Sequence, residues 1–383
     1  MRVLFSSTSG LGHVYPLVPL ARALSTAGHQ VLWAGHASVG ALVSWAGLAS
    51  APAGLQGAGF TAVIDDLRRR GRQLPPTERA AFMFPHVFGS ALPPAMATGL
   101  LALAREWHPD LLIHEQAEMA SPLVAAVIGV PSVMQSYGGA VPPAILTEAA
   151  DRLESLWRAY GLAIPAYAGC FDAPFLDICP PSVRPVPLTH VPIVQQLRPT
   201  PYAGPYQDGL VVPGGSDPLI YLTLGTIPGT TATLSAVLRA LSRMSVRIIA
   251  TAGPEADPAA LGEQPAHIAV TRYAPQTQIL PLCDAVISHA GSGTFLGALA
   301  HGLPQLCLPQ AADQFRNAHA CVRAGAGLAL HPDDATPSAI VQATWALLDQ
   351  RPLRDHAARI RIEIEAMPTP EDVVPLLEFL TTS

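Results

Sequence analysis

The chain begins MRVLFSSTSGLGHVYPLVPLARALSTAGHQVLWAG (residues 1–35), and the architecture of the protein can be inferred outward from this stretch. A short apolar run, Val3–Ser6, is followed by a glycine-containing turn and then by an amphipathic segment over about residues 15–27. Gly28 ends the predicted helix, and a second apolar run, Val31–Ala34, follows it. A strand, a helix and a second strand in this order predict the first βαβ unit of a parallel sheet.

The alternation of apolar runs and helical segments continues in two series along the chain. The first series contains two further predicted strands, Leu111–His114 and Pro131–Gln135, with a helix between them. The predicted strands of the second series are Leu219–Leu224, Val246–Thr251, Ile268–Thr271, Ala285–Ser288 and Gln305–Leu308. Two such series predict an α/β protein with two Rossmann-like, doubly wound domains that face a cleft, with ligands beyond the carboxyl ends of the strands.

The region between the two series differs in composition. From Cys179 to Gly215 the chain is rich in Pro and Gly, and no long periodic segment fits it. We therefore expect an N-terminal domain at residues 1–184, an interdomain linker at 185–215, a C-terminal domain at 216–367 and a closing segment at 368–383. A length of 383 residues agrees with two domains, because single hydrophobic cores stop growing at about 250–300 residues.

Charge and composition exclude several classes of protein. The net charge of −6 argues against a nucleic-acid partner, which requires a basic face. All 22 basic residues are Arg, and the absence of Lys excludes a P-loop and any Schiff-base chemistry such as that of pyridoxal phosphate enzymes. The cysteines match no zinc pattern, so we expect reduced thiols at Cys170, Cys179, Cys283, Cys307 and Cys321.

The sequence also predicts a cytoplasmic protein without a membrane span. The first residues, MRVLFSS, enter a strand directly and carry no signal-peptide pattern. The long uncharged stretch at residues 285–312 is interrupted by Gly, Pro and His, which argues against a transmembrane helix.

The loop SGLGH (residues 9–13) comes just after the first strand, where ligands bind in a doubly wound sheet. It lacks the third Gly of a dinucleotide fingerprint. His13, at the start of a helix, is suited to take a proton from a hydroxyl; the alternative is that it only caps or packs the loop. Glu115 ends a strand expected beside the first and is the predicted orienting partner of His13, with Glu118 as the alternative. For either carboxylate, the competing explanation is stabilisation by a helix dipole.

The stretch SHAGSGT (residues 288–294) joins a predicted strand to a predicted helix through small residues. Backbone N–H groups at a helix N-terminus form an anion site suited to a diphosphate. Ser292 and Thr294 add hydroxyl donors, and His289 can donate to a phosphate oxygen. The alternative is a tight connection whose glycines serve only packing.

Asp313 and Gln314 follow the last predicted strand of the second series. Their paired acceptors and donors suit adjacent sugar hydroxyls, and the alternative is an N-cap Asp before a solvated helix start. The chain has no Asp-x-Asp pair and no His/Asp cluster at ligand spacing, so we expect no metal site.

Three segments together resemble a known family. MRVLFSSTSGLGHVYPLVPLARALSTAGH (residues 1–29), HPDLLIHEQ (108–116) and HAGSGTFLGALAHGLPQLCLPQAADQFRNA (289–318) are similar to the first βα unit, the acidic-partner strand and the donor signature of inverting GT-B glycosyltransferases. The likeness spans nearly the whole chain and is specific to the bacterial natural-product branch that includes the calicheamicin and macrolide enzymes. It implies two Rossmann-like domains and a final helix at about Glu371–Leu380 that crosses back to the N-terminal domain.

The resemblance also implies residue roles. His13 corresponds to the general base and Glu115 to its acidic partner, a position where many relatives carry Asp. Asp313 and Gln314 correspond to the pair that binds the sugar. The positions that correspond to contacts of the nucleotide diphosphate are Thr226, Tyr273, Ala274, Gln276, His289, Gly291, Ser292, Gly293 and Thr294.

We therefore predict an inverting transferase that moves a sugar, with deoxysugars favoured, from a nucleotide diphosphate-sugar to a hydroxyl of an apolar or aromatic natural-product aglycone, without a cofactor. The alternatives are an epimerase-like GT-B enzyme and a non-catalytic transferase helper, and a homodimer stays open.

Uridine-using plant relatives carry a ribose-binding Glu eight residues after the motif His. That position here is Gly297, which favours a TDP-sugar over a UDP-sugar. Phe60, Phe82, Phe84 and Phe88 are candidate acceptor contacts, and ordinary core packing is the alternative for them.

Overall fold

The structure, a computed structural model, describes residues 1–205, 209–225, 231–253 and 256–382. The chain divides into two units. The first comprises Met1–Cys179, Val186–Thr200 and Pro368–Ser383, and the second comprises Pro180–Pro185 and Pro201–Met367.

The first unit is built on a parallel sheet of seven strands. These are β1 (Arg2–Ser6), β2 (Gln30–Gly35), β3 (Ala49–Pro52), β4 (Leu111–Glu115), β5 (Ser132–Gln135), β6 (Phe175–Asp177) and β7 (Val194–Gln196). They lie in the order β3-β2-β1-β4-β5-β6-β7. The central strands β1 and β4 are almost entirely buried, as expected for continuous apolar runs in a parallel sheet that is covered on both faces.

Helices cover this sheet. They are α1 (Leu11–Val14), α2 (Val18–Thr26), α3 (Ala37–Ser44), α4 (Gly57–Arg72), α5 (Pro76–His86), α6 (Pro93–Trp107), α7 (Ser121–Ile128) and α8 (Pro143–Ala159). One buried cluster of the unit joins residues of β4, α6, α7 and α8, including Leu112, Leu100, Leu123 and Leu153.

The second unit has a parallel sheet of six strands. These are β8 (Leu219–Thr223), β9 (Arg247–Thr251), β10 (Ile268–Thr271), β11 (Ala285–Ser288), β12 (Gln305–Cys307) and β13 (Gly327–Ala329), in the order β10-β9-β8-β11-β12-β13. Alternate side chains of β8 enter two different cores: Ile220 and Leu222 pack in one, Leu219 and Tyr221 in the other. Both faces of the sheet are therefore covered.

The helices after β8 are α9 (Thr231–Leu241), α10 (Gln276–Ile279), α11 (Ser292–Ala300), α12 (Gln314–Arg323), α13 (Pro337–Asp349), α14 (Arg351–Ala366) and α15 (Pro370–Leu380). The last of these groups with the first unit and packs against α2. A capping box between Thr369 and Asp372 starts α15, and His29 lies 3.0 Å from Glu378 near its end.

Both sheets confirm the predicted doubly wound α/β class. Numbered within its own unit, each sheet has the strand order 3-2-1-4-5-6, with a seventh strand added in the first unit. The strand order reverses between β1 and β4 and again between β8 and β11, and ligands bind beyond the carboxyl ends of strands at such switch points.

The first part of the predicted linker, residues 185–215, belongs largely to the first unit. Residues 186–200 belong to the first unit, where β7 pairs with β6, whereas residues 180–185 group with the second unit. Strand β7 was not predicted because it has only three residues, which show no periodicity within a stretch rich in Pro and Gly.

Among the described residues, no single helix is long and apolar enough to cross a membrane. One pair of helical segments, Ala81–Ala91 and Pro93–Trp107, has sufficient length and apolar composition only when the two are taken together, and a bend of 42° separates them. In α6, Met96, Ala97 and Leu100 lie in the core of the first unit. The uncharged stretch at residues 285–312 contains β11, α11 and β12.

Candidate active site

The first switch point brings His13 and Glu115 together. Strands β1 and β4 are parallel neighbours, with Ser6 opposite His114, so the loop after β1 and the end of β4 meet at one edge of the sheet. Gly10, at φ 112°, turns this loop into α1. Nδ1 of His13 lies 3.2 Å from Oε1 of Glu115. The His13 side chain is partly exposed and that of Glu115 is fully buried.

Glu115 is held as a carboxylate. Its Oε1 accepts hydrogen bonds from the Thr8 N–H at 3.1 Å and the Thr8 hydroxyl at 2.8 Å, and its Oε2 accepts from the Ala117 N–H at 2.5 Å. Burial alone raises the pKa of this carboxyl, but the charge of His13 and these hydrogen bonds outweigh burial and hold the pKa below its usual value. A buried anion beside an imidazole favours a proton on the nitrogen that faces it, here Nδ1.

Glu118, the alternative partner, has other contacts. Its carboxylate accepts hydrogen bonds from the Ser6 hydroxyl at 2.6 Å, the Ala120 N–H at 2.8 Å and the Ser121 N–H at 3.3 Å. It therefore ties the end of β1 to the start of α7, and Glu115 is the carboxylate that faces His13.

Aromatic side chains surround His13. Tyr137 meets its ring edge-on with 4.9 Å between centroids, and Phe88 lies at 6.1 Å. Phe84 packs against Phe88 and also against the core, and its contact with an acceptor stays a prediction. Tyr137 was not singled out in the sequence, because it is one tyrosine in an irregular loop.

The two other phenylalanines lie apart from this group. Phe60 contacts His36 and lines a small pocket that also includes Thr8, Ser9 and Met96. Phe82 stacks on His86 at 4.0 Å, with the Arg70 guanidinium 5.5 Å from its ring, which is a local packing role.

The second switch point holds His289. This residue follows β11, and a Cβ on either Gly225, after β8, or Gly291 would collide with its imidazole. Glycine is therefore required on both sides of the ring. Burial lowers the pKa of His289 against the opposing charge of Asp313 and a hydrogen bond involving the Thr223 backbone, so the imidazole is neutral near pH 7. Its Nδ1 is buried without a hydrogen-bond partner among the described residues.

The start of α11 has the geometry of an anion site. Ala290 adopts a left-handed conformation at φ 60°, Gly291 is the N-cap, and the helix begins at Ser292. Among the described residues no side chain caps this end, and Gly293 is exposed, so the first N–H groups of the helix are suited to a ligand. Thr294 is buried and accepts a hydrogen bond from Gln276 Nε2 at 2.7 Å.

Asp313 and Gln314 have different environments. Asp313 Oδ2 accepts hydrogen bonds from the Ser292 hydroxyl at 2.7 Å and from Asn317 Nδ2 at 3.1 Å. Gln314 is buried, and its Oε1 accepts from the N–H groups of residues 310 and 311 at 2.7 and 2.9 Å. Its carbonyl oxygen therefore closes the loop before α12, a use that the sequence prediction of a sugar-binding pair did not include.

The predicted nucleobase loop precedes α10. The Tyr273 hydroxyl donates to the carbonyl of Ala203 at 2.7 Å, and Ala274 is buried in a core cluster. Gln276 instead reaches Thr294, which links this loop to the start of α11. Thr226 lies outside the described residues.

The sequence matches known proteins over both units. Residues 22–210 match the family model described as erythromycin biosynthesis protein CIII-like, N-terminal domain, and residues 235–380 match the corresponding C-terminal domain. The chain is 35% identical to the L-demethylnoviosyl transferase of Streptomyces niveus, over 97% of this chain and 96% of that protein, and 30% identical to the aclacinomycin-T 2-deoxy-L-fucose transferase of Streptomyces galilaeus, over 100% and 96%.

Solved structures agree with this likeness. The glycosyltransferase SsfS6 of Streptomyces sp. SF2575, complexed with thymidine diphosphate, superposes with a TM-score of 0.81 at 29% identity, over 99% of both chains. The family models together cover most of the chain, and the two sheets have the architecture of a GT-B enzyme. The chain therefore belongs to the erythromycin biosynthesis protein CIII-like family of glycosyltransferases.

Proposed function

We propose that the protein transfers a deoxysugar from a TDP-sugar to a hydroxyl of a natural-product aglycone, with inversion and with His13 as the general base. The observation that carries this proposal is the pair formed by His13 Nδ1 and the buried Glu115 carboxylate at a switch point. With the proton held on Nδ1, Nε2 is the nitrogen that takes the proton of the acceptor hydroxyl. The resulting alkoxide or phenolate attacks the anomeric carbon from the face opposite the leaving diphosphate.

The second unit supplies the donor side of the reaction. The N–H groups at the start of α11 and the neutral His289 stabilise the negative charge that grows on the departing nucleotide diphosphate. The chain has no Lys, so lysine ammonium groups do not contribute, and the stabilisation proposed here comes from the helix dipole and hydrogen-bond donors. A pre-organised helix terminus costs no reorganisation as the charge develops.

The identity of donor and acceptor is supported by two kinds of observation. Relatives named above are transferases of sugars such as 2-deoxy-L-fucose, and a solved relative binds thymidine diphosphate. On the acceptor side, Tyr137 and Phe88 lie around His13, and Phe84 lies against Phe88. Rings in this arrangement favour a flat, apolar acceptor, since aromatic groups pack edge-to-face or offset.

The test is incubation with a panel of TDP-deoxysugars, first alone and then with phenolic polyketide and macrolactone acceptors, in excess EDTA. Mass spectrometry should show a glycoside only when both substrates are present, and NMR coupling constants of the product should show an anomeric configuration opposite to that of the donor. A donor that changes without an acceptor would instead indicate an epimerase. Failure of every donor and acceptor, with activity only upon adding a second transferase, would indicate a helper protein. A requirement for added Mg²⁺ would contradict the role given to α11.

A further inference from the structure

Two hydrogen bonds from Thr8 and the contact with the His13 imidazole meet at one oxygen of Glu115. Oε1 receives the Thr8 hydroxyl at 2.8 Å and the Thr8 N–H at 3.1 Å, and it lies 3.2 Å from His13 Nδ1. Oε2 receives only the Ala117 N–H among the hydrogen bonds described for it. The oxygen that faces the imidazole is therefore shared with a side-chain hydroxyl.

We propose that Thr8 is a positioning residue that acts through Glu115: its hydroxyl limits the negative charge that Glu115 Oε1 offers to the His13 imidazole. The proposal rests on the proposed role of His13 as the base. The Thr8 residue is 7% exposed, and the role proposed for it is exerted through its hydrogen bond to Glu115.

The chemical reason lies in the division of charge among donors. Each N–H or O–H that a carboxylate accepts stabilises part of its charge, so less is available to stabilise an imidazolium beside it. Without the Thr8 hydroxyl, Oε1 keeps its backbone donor and pairs more strongly with His13. The imidazole then becomes more basic and a larger fraction is protonated near pH 7, and a protonated imidazole cannot accept the hydroxyl proton.

Other titratable groups near the pair do not replace Thr8. Tyr137 meets the His13 ring edge-on from the loop after β5. His114 is buried on β4 on the other side of Glu115, with its Nδ1 3.2 Å from the Glu115 carbonyl, and Glu118 is engaged by Ser6. The hydroxyl of Thr8 is thus the side-chain donor that shares Oε1 with His13.

The experiment is an NMR titration of protein labelled at histidine Cε1, without substrate, with the His13 signal assigned through His13→Gln. Thr8→Val removes the hydroxyl at nearly constant shape, and we expect the pKa of His13 to rise by about half a unit to one unit. Thr8→Ser restores the hydroxyl and should titrate like wild type. Ser9→Ala is the matched control, since it removes a hydroxyl of the same loop that makes no hydrogen bond to Glu115 among the described residues.

An unchanged or lowered pKa of His13 in Thr8→Val would overturn the proposal. If the valine variant does not fold, Thr8→Ala answers the same question. Once a donor and acceptor pair is known, the acidic limb of kcat/KM in Thr8→Val should move upward with the titration, whereas a merely structural role would lower kcat at an unchanged pH profile. Because the titration needs no substrate, failure of the transfer assay and failure of this inference are separate results.

Discussion

Ser292, the first residue of α11, donates a hydrogen bond to Asp313, which stands immediately before α12, at 2.7 Å. This bond joins the anion-binding helix start to the loop expected to contact the sugar. Asn317 completes the group by donating to Asp313 Oδ2 at 3.1 Å and to the Ala290 carbonyl at 2.9 Å. The proposed diphosphate-binding and sugar-binding regions therefore share one hydrogen-bond network.

Asp313→Ala should weaken donor use and also reduce the affinity for free TDP. Removal of the carboxylate frees the Ser292 hydroxyl to rotate, so we expect the KM for the TDP-sugar to rise about 10-fold and the Kd of TDP to rise severalfold, in keeping with the loss of a charged hydrogen-bond acceptor. Steady-state kinetics and calorimetry measure the two effects. Asp333→Ala, at an exposed carboxylate, is the control. Normal TDP binding in Asp313→Ala would show that Asp313 contacts the sugar alone.

Gln314→Ala provides a contrast at the neighbouring position. It leaves two loop N–H groups without their acceptor, so it should lower the free energy of unfolding by about 1–3 kcal/mol. Loss of activity without loss of stability would instead place the Gln314 side chain on the sugar.

His13→Ala should reduce turnover by roughly 10²-fold or more, the usual scale for a positioned general base. The Kd of TDP should barely change, because the donor-binding residues lie in the other unit. His319→Ala, at an exposed position on α12, is the matched control. Turnover that survives with the pH dependence of the wild type would remove His13 from the mechanism.

Stability should fall as the pH is lowered below about 6.5, in part because of His289. Its pKa is lowered in the folded state, chiefly by burial, whereas the unfolded chain takes up a proton near the ordinary value of about 6.5. Below that pH the unfolded state binds more protons, so this residue contributes a loss of up to about 1.4 kcal/mol per pH unit until the folded form also protonates.

Urea unfolding of wild type and His289→Gln between pH 7.5 and 5.5 measures this contribution. The variant should show the shallower slope, because the other 12 histidines of the 13 are common to both proteins. Equal slopes would mean that His289 titrates alike in the folded and unfolded states.

The central strands of both sheets were predicted from the sequence, whereas four strands nearer the edges were not. Strands β1, β4, β8 and β11 are buried on both faces, so they appear as unbroken apolar runs. The missed strands β3, β6, β7 and β13 have three or four residues each, and β3 ends in a proline. Segments this short leave no periodicity, so they are recognised only where an apolar run marks them, as in β11 or in β12 together with Leu308.

Some features of the candidate site could likewise be predicted from the sequence, and others could not. The proximity of His13 and Glu115 follows from topology, because parallel neighbours place their carboxyl ends together. The use of Gln314 Oε1 by loop N–H groups does not, since it depends on a turn in which Ala312, a non-glycine residue, adopts φ 53°. Thr8 gave no signal for the same reason: a hydroxyl beside a loop is informative only when its acceptor is known.

TDP should bind more tightly than UDP, and Gly297 is the residue from which we infer this preference. A carboxylate at this position would hold the ribose 2′-hydroxyl of a uridine nucleotide, but opposite a deoxyribose it would be buried without a partner, at a cost in free energy. Gly297 is buried in α11, and a Cβ there would lie 3.2 Å from Leu280 Cδ1 and 3.6 Å from Gln276 Oε1. A Cβ alone therefore requires a shift of Leu280 by a few tenths of an ångström, which makes close packing the competing reason for glycine.

Calorimetric titration of both nucleotides into wild type, Gly297→Ala and Gly297→Glu separates these explanations. We expect wild type to prefer TDP, and Gly297→Glu to bind UDP better relative to TDP by roughly 10-fold, the scale of one hydrogen bond to a charged group. Gly297→Ala adds the same Cβ against Leu280 without the carboxylate, so it should weaken both nucleotides alike or neither. If alanine and glutamate change the ratio equally, packing alone explains the glycine. A preference of the wild type for UDP would contradict the inference from Gly297, because the ribose of the uridine nucleotide would then be recognised without a carboxylate at this position.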